Sequence, residues 1–188
     1  MPKVVDRERR REELAAALWR LVEREGIEAA SLRRVAAEAG WSTGSLRHYF
    51  QTQSQLLAFA MELVVQRVTE RISAMVPWPD LHESARRALQ EVLPLDDERR
   101  AEMQVWLAFT AQSLVRPDLR ALRDRAHVGI RTLCEGAAEL LGAPADSAER
   151  LHALVDGLAL HAILDPATTT PERQVALLAA ELDSLTAE

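Results

Sequence analysis

Residues 31–50 read SLRRVAAEAGWSTGSLRHYF, and this stretch decides the fold of the N-terminal part of the chain. Ser31 can cap one short helix, Gly40 lies where the backbone must turn, and Ser42 can cap a second helix that runs to Phe50. Two short helices joined by a turn that contains glycine are typical of a helix-turn-helix unit. The spacing predicts such a unit here, although a plain helical hairpin fits the same pattern.

The two helices of this unit differ in what they can bury and what they can expose. A miniature core is expected from Val35, Ala39, Trp41, Leu46 and either Tyr49 or Phe50. The second helix then exposes a short polar face, which is suited to entering the major groove of DNA with its first turn near phosphates. The residues of that face are Thr43, Gly44, Ser45, Arg47 and His48.

Outside this stretch, apolar residues recur at helical spacing and no strand is predicted. A first helix ends at Gly26, and later helices are expected to start at Thr52 or Ser54, Asp80, Asp96 or Asp97, Asp118, Asp146 or Ser147, and Pro171. Pro77-Trp78-Pro79 is expected to stop the fourth. In the sixth, the residues predicted to point inward are Met103, Trp106, Leu107, Thr110 and Leu114. The chain is therefore predicted to be all-α with about nine helices, divided into residues 1–50 and residues 51–188.

Charge and cysteine content narrow the class of protein. The chain has 188 residues and a net charge of −6, but residues 1–50 carry +2 and the remainder −8. This asymmetry suggests that the two parts meet different partners, although random drift in surface charge produces it too. The single Cys134 excludes an internal disulfide. Without an apolar signal segment or a long apolar run, we expect a cytoplasmic protein with no membrane span.

The string GWSTGSLRHYFQTQSQLL at residues 40–57 resembles the DNA-binding segment of the TetR family of regulators. A weaker resemblance covers the body, where VWLAF at 105–109, RPDL at 116–119 and VDGL at 155–158 look like the C-terminal domain of the BetI-like subgroup. The resemblance implies a helix-turn-helix domain followed by a helical ligand-binding and dimerisation domain. It further implies a repressor that leaves a pseudo-palindromic operator when a small molecule binds.

Carried onto this chain, the resemblance implies a set of DNA-contacting residues. Arg33 would reach a guanine edge or a phosphate, whereas His48 and Tyr49 would reach the phosphate backbone. Arg47 stands where the family usually has an aromatic residue, so a bidentate contact with guanine becomes possible. Gln53 stands where the family often has lysine; Arg7, Arg9, Arg10 or Arg11 could compensate. The full predicted set is Ser31, Arg33, Ser42, Thr43, Gly44, Ser45, Arg47, His48 and Tyr49.

The eighth helix has two apolar faces, one with Leu151, Val155 and Leu158 and another with Gly157 and Leu160. One face serves the protein's own core; the resemblance assigns the other to a second subunit, although both could be internal. The last two helices would then form the interface of a homodimer. The residues predicted to form it are Ala153, Gly157, Leu160, Leu164, Val175, Leu178 and Leu182.

Aromatic and polar residues of the sixth and seventh helices could line a ligand cavity, although ordinary core packing explains each of them as well. They are Trp106, Phe109, His127, Arg131 and Cys134. The resemblance allows a choline-like cation. No carboxylate is clearly placed beside the aromatic residues, which favours a neutral or weakly polar aromatic or lipid-like ligand.

One constellation suggests a different class of function. Glu149, His152 and Asp156 share a helix face, as metal ligands in helical bundles do, but di-iron bundles need a second such motif and this chain has none. No glycine-rich phosphate loop and no Gly-x-Ser-x-Gly sequence occurs. An enzyme or metal protein is therefore the second hypothesis, and an interaction module without DNA binding the third. No cofactor or metal is expected.

Overall fold

The computed structural model describes residues 2–75, 80–144 and 146–186, with side chains from Arg9 onward. The described residues form helices and no strands, which confirms the all-α prediction. The nine α-helices of this part are α1 (Pro2–Glu25), α2 (Leu32–Glu38), α3 (Thr43–Arg47), α4 (Gln53–Ala74), α5 (Leu81–Gln90), α6 (Asp97–Val115), α7 (Arg120–Leu140), α8 (Ser147–Leu164) and α9 (Pro171–Thr186). Short 3₁₀ turns, Ile27–Ala29 and Pro117–Leu119, precede α2 and α7.

Side-chain caps explain why most helices start where the sequence predicts. The side chain of each capping residue accepts a hydrogen bond from a backbone N–H in the first turn, which satisfies a donor that has no partner within the helix. The capping residues are Ser31, Ser42, Thr52, Asp80 and Asp96. Helix α3 ends at Arg47 rather than at the predicted Phe50. The predicted stop at Pro77-Trp78-Pro79 lies outside the described residues.

The predicted inward face of α6 is wrong in part. Leu114 is 72% exposed, and Leu107 and Thr110 are only half-buried. The buried stripe instead contains Ala101, Val105, Phe109 and Ser113. Apolar residues lie all round α6, which packs against α1, α4, α7 and α8. Because several neighbours compete for this helix, spacing alone could not select the buried face.

Two hydrophobic cores hold the helices together. The first joins α1, α2, α3, α4 and α6, with Leu18, Leu46, Phe59 and Phe109 among its buried members. The second joins α5, α7, α8 and α9 around residues such as Leu151. Since the first core continues across residue 50, the N-terminal helices are packed onto the body. No helix in the described residues is long and apolar enough to cross a membrane.

Gly40 ends α2 with φ +71°, a left-handed conformation that a side chain disfavours. No atom lies within 4 Å of the position that a Cβ would take, so the cost of Gly40→Ala is one of backbone strain. We expect this substitution to lower the free energy of unfolding by about 1–2 kcal/mol in urea denaturation. Gly136→Ala, within α7, is the control and should raise stability by up to about 1 kcal/mol. Equal effects of the two substitutions would contradict the role given to Gly40.

Candidate DNA-binding and ligand-binding sites

The turn between α2 and α3 is closed by backbone hydrogen bonds. The N–H of Gly40 donates to the carbonyl of Ala37 at 3.1 Å, and the N–H of Trp41 donates to the carbonyl of Ala36 at 2.8 Å. Val35, Ala36 and Leu46 are buried against the rest of the first core. Helix α3 is thus held in a fixed orientation on α2, as the helix-turn-helix prediction requires.

Helix α3 presents a polar surface to solvent. Ser45 and Arg47 are exposed, as are Gly44 and the following His48, whereas Thr43 is half-buried. The Ser42 hydroxyl accepts from the Ser45 N–H at 3.0 Å. The start of α3, a polar rim and an exposed arginine therefore lie on one short surface, which is what a phosphate backbone and a base edge require of a recognition helix.

Ion pairs divide the arginines of the N-terminal helices into two groups. Arg20 and Arg24 both bind Glu38, at 2.8 and 3.0 Å, and Arg34 binds Glu25 at 2.6 Å. Hydrogen bonds from Arg20 and Arg24 lower the pKa of Glu38, so the Glu38 carboxylate stays charged at neutral pH and keeps both arginines engaged.

The second group is available to a ligand. Among the residues that the structure describes, Arg33 and Arg47 have no ion-pair partner, and both are exposed. They are the two arginines for which the sequence predicts contact with DNA.

The N-terminal end of α1 borders the recognition helix. A cleft lies there, and the residues that line it are Arg9, Arg10, Glu13, Gly40, Trp41, Ser42, Ser45, His48 and Tyr49. Arg9 forms an exposed ion pair with Glu13 at 3.1 Å. The Arg10 guanidinium lies 5.9 Å from the Trp41 ring centre, and the Tyr49 ring lies 5.6 Å from that of Trp41. Arg11 instead stacks 5.3 Å above Phe59.

The side chain of Gln53 makes a hydrogen bond within the protein. Its amide donates to the carbonyl of Ala30 at 2.6 Å, which ties the start of α4 to the segment before α2. With Gln53 occupied in this way, Arg9 and Arg10 are the basic residues placed beside α3.

A cavity of about 160 Å³ lies in the body, between α4, α6, α7 and α8. Its walls are mainly apolar and come from all four helices, an arrangement typical of small-molecule sites in bundles. The apolar lining includes Met61, Val64, Val68, Ile72, Met103, Trp106, Ile130, Leu133, Val155 and Ala159.

One wall of this cavity contains an ion pair that is largely buried. The Arg71 guanidinium donates to both carboxylate oxygens of Glu102, at 2.8 and 2.6 Å, and to Glu91 at 2.7 Å. The Glu102 side chain is only 5% exposed. This pair connects α4 to α6 at the cavity, and it corrects the expectation that no carboxylate lies near the aromatic residues, since Glu102 and Trp106 line the same space.

The predicted ligand-binding residues are scattered. Trp106 lines the cavity, but Phe109 is buried in the first core and Cys134 in the second. His127 and Arg131 are exposed on α7 and do not line the cavity either. Spacing missed Glu102 and the residues of α4 and α8, because only tertiary packing brings four distant helices together.

The residues of the alternative enzyme hypothesis form no site. His152 Nε2 lies 3.5 Å from Asp156, and the His127 and His152 rings are 5.0 Å apart, but Glu149 is exposed outside this group. Within the described ranges, no group of three or more His, Cys, Asp or Glu side chains could hold a metal ion. Burial raises the pKa of the Cys134 thiol to about 12, so it is not a thiolate at neutral pH.

Only some residues of the predicted dimer surface are exposed in the single chain. Leu160 is 39% and Leu164 69% exposed, and Ala153 and Gly157 line an open groove on α8. Leu178 and Leu182 of α9 are fully buried in the chain's own second core, so they are wrong as partner contacts. Val175 is half-buried. The residues of α9 that the resemblance assigned to the partner thus pack inward instead.

Comparison with known proteins adds independent evidence to this geometry. The profile of bacterial regulatory proteins of the tetR family matches residues 14–59, and that of the BetI-type transcriptional repressor C-terminal domain matches residues 81–187. The chain is 44% identical to the HTH-type transcriptional regulator PksA of Bacillus subtilis, with 100% of this chain and 95% of that protein covered. It is 35% identical to the HTH-type transcriptional regulator BetI of Burkholderia thailandensis, with 87% of each covered.

Solved structures share the fold over nearly the whole chain. A transcriptional regulator from Rhodococcus superposes with a TM-score of 0.80 at 34% identity, covering 93% of this chain and 95% of that one. The multidrug binding protein EbrR, solved with ethidium, superposes with a TM-score of 0.67 at 27% identity over 92% and 98% of the chains. A putative regulator from Saccharomonospora viridis, solved with choline, has the same fold at 21% identity with a TM-score of 0.71 over 94% and 96%.

Proposed function

Because the chain belongs to the TetR family of bacterial transcriptional regulators, with a BetI-type C-terminal domain, we propose that it is a homodimeric repressor of the cytoplasm that a small molecule releases from a pseudo-palindromic operator. The observation that carries this proposal is the surface of α3: a fixed helix-turn-helix with Arg33 and Arg47 exposed and without ion-pair partners among the described residues. A protein that binds DNA needs cationic side chains that are not already paired with carboxylates of its own chain.

Each part of that surface has a separate role in the proposal. Arg47 reads a base in the major groove, since its planar guanidinium matches the two acceptors of guanine. His48, Tyr49 and the α1 arginine Arg10 hold phosphates, which fixes the register without reading sequence. Arg9 joins them by exchanging its exposed pair with Glu13 for a phosphate. Ser31 and Ser42 cap α2 and α3, whose N-terminal ends face the phosphate backbone of the DNA. Arg33 contacts either a phosphate or a guanine edge. Thr43, Gly44 and Ser45 lie close to the groove floor.

The cavity in the body is the proposed effector site. EbrR and the Saccharomonospora regulator were solved with small molecules bound, and the apolar cavity of this chain supports the same role for its own body. Helix α6 connects the two sites: Met103 and Trp106 line the cavity, whereas Gln104 lies against Gly26 of the N-terminal domain. A ligand that prefers one position of α6 therefore shifts the orientation of the DNA-binding helices.

The test of this proposal is a selection from genomic DNA. Purified protein is mixed with sheared genomic fragments, and the retained fragments are sequenced. We expect a small number of fragments that share one inverted repeat, because a two-fold dimer presents two identical recognition helices. Retention of fragments without a shared sequence would contradict the proposed function.

The dimer interface yields a prediction at Gly157. No atom of the same chain lies within 4 Å of the position of a Cβ there, so Gly157→Leu leaves the packing of the single chain intact. At a two-fold contact it would clash with its own symmetry copy, and we expect the dimer to dissociate in sedimentation velocity at micromolar concentration. Gly136→Leu, an exposed glycine of α7, is the matched control. A Gly157→Leu protein that stays dimeric would remove Gly157 from the interface.

A further inference from the structure

The charged residues that line the cavity differ in whether they have partners. Glu91 and Glu102 are bound by Arg71, Arg99 pairs with Asp96 at 2.8 Å, and Asp156 lies 3.5 Å from His152. Arg125 also lines the cavity, but no ion-pair partner for it occurs in the part of the chain that the structure describes. A ligand anion would find in Arg125 a cation without a described ion-pair partner, whereas the carboxylates of Glu91 and Glu102 are already bound by Arg71 and that of Asp156 faces His152.

Arg125 lies at the place where the cavity opens to solvent. Most lining residues are buried or half-buried; the exposed ones are Asp156 of α8 and two pairs, Val65 and Thr69 of α4 and Arg125 and Gly129 of α7. Each pair is four residues apart, so its members lie on one face of their helix. We term the edge of the cavity between these two faces of α4 and α7 the mouth.

Gly129 lines the mouth and has no side chain to fill it. A glycine inside a helix is unfavourable relative to alanine, and Gly129 has neither a positive φ nor a neighbour that would clash with a Cβ. Neither backbone conformation nor packing therefore requires glycine at this position. What the missing side chain provides is open space at the mouth.

We propose that the effector enters and binds at the mouth between α4 and α7, that Gly129 sets the size of molecule admitted, and that Arg125 holds an anionic group of an otherwise apolar ligand. This inference rests on the proposed function in taking the cavity as the effector site. The apolar part of the ligand packs against Val68, Met103 and Trp106 inside, while its anionic group stays at the solvent-exposed end beside Arg125.

Two fluorescent probes separate the two parts of this proposal. Anilinonaphthalene sulfonate combines an aromatic body with one negative charge, and phenylnaphthylamine offers nearly the same body without the charge. Both are titrated into the full-length wild type, Gly129→Leu, Gly129→Ala and Arg125→Gln, with Gly136→Leu as the control for a leucine on the same face of α7, two turns further along. Circular dichroism and urea denaturation verify that each variant is folded.

We expect Gly129→Leu to weaken the binding of both probes by about tenfold or more, since the new side chain occupies the mouth. Gly129→Ala should have a smaller effect in the same direction, and Gly136→Leu none. Arg125→Gln should weaken only the sulfonate probe, by about two- to fivefold, because the pair is exposed to solvent.

Three results would overturn the proposal. Unchanged binding of both probes to folded Gly129→Leu and Gly129→Ala places the binding site elsewhere. Equal effects of Arg125→Gln on the two probes, or tighter binding of the sulfonate, removes the anion from the ligand class. Failure of the wild type to bind either probe removes the mouth as an entry for apolar anions. None of these results depends on DNA, so loss of the proposed function alone, seen in the genomic selection, remains distinguishable.

Discussion

Replacing Arg71 with alanine is expected to lower the free energy of unfolding by about 3–5 kcal/mol, the largest effect of any single substitution considered. The Glu102 carboxylate is 5% exposed and receives two hydrogen bonds from Arg71, at 2.8 and 2.6 Å. Removal of the guanidinium leaves a buried charge without a partner, and that unpaired charge is the source of the cost. Urea denaturation of the wild type and of Arg71→Ala measures it.

Two further variants test the cause of that loss. Arg71→Met combined with Glu102→Leu removes both charges of the pair, and Glu91 keeps a second partner in Arg99, 3.6 Å away. This variant should recover most of the stability, since well-packed apolar residues replace buried ion pairs at little cost. Arg123→Ala breaks the exposed pair with Asp124 and should cost no more than about 1 kcal/mol. An Arg71→Ala loss no larger than that of Arg123→Ala would show that the Arg71–Glu102 pair is not structurally important.

Arg47→Ala is expected to weaken binding to the selected operator by about 1–3 kcal/mol, or about 5- to 150-fold, if the guanidinium contacts guanine with two hydrogen bonds. Preference at one base pair of each half-site should be lost with it. The physical reason is that Arg47 is exposed at the end of α3 and has no described ion-pair partner. Fluorescence anisotropy with the operator and with single-base variants of it measures both effects.

Arg24→Ala is the matched control for Arg47→Ala. It removes the same charge from the same domain, but Arg24 is engaged with Glu38 and Glu25. We expect the Arg24 variant to bind operator within about twofold of the wild type. If Arg47→Ala weakened operator and random DNA equally, Arg47 would be a phosphate contact and not a base contact.

Local chemistry explains why the helix starts and the helix-turn-helix could be predicted from sequence. The cap at Ser31 or Ser42 is a hydrogen bond between residues three apart. The residues that start the helix are therefore all present in a short stretch of sequence, and the start can be predicted from it. The left-handed turn at Gly40 is equally local. The exposure of Ser45 and Arg47 then follows from the burial of Leu46 between them.

The body could be predicted only in outline, because its sites depend on which helices meet. Phe109 is an aromatic residue three positions after Trp106, and both pack in the first core, yet only Trp106 also lines the cavity. Leu178 and Leu182 were assigned to the dimer interface by the resemblance but are buried in the chain's own core. No local pattern distinguishes an apolar residue that packs inward from one that meets a partner or a ligand.

The most direct test of the central claim is the ratio of two dissociation constants, measured for the wild type at one salt concentration. One is for a duplex that carries the inverted repeat recovered from genomic DNA, and the other is for a duplex of the same composition with the repeat scrambled. A sequence-specific regulator is expected to bind the first at least about 10³-fold more tightly, with two chains per duplex. Equal dissociation constants would contradict the account, because the surface of α3 would then bind DNA only through electrostatic attraction to the phosphates, without reading the sequence.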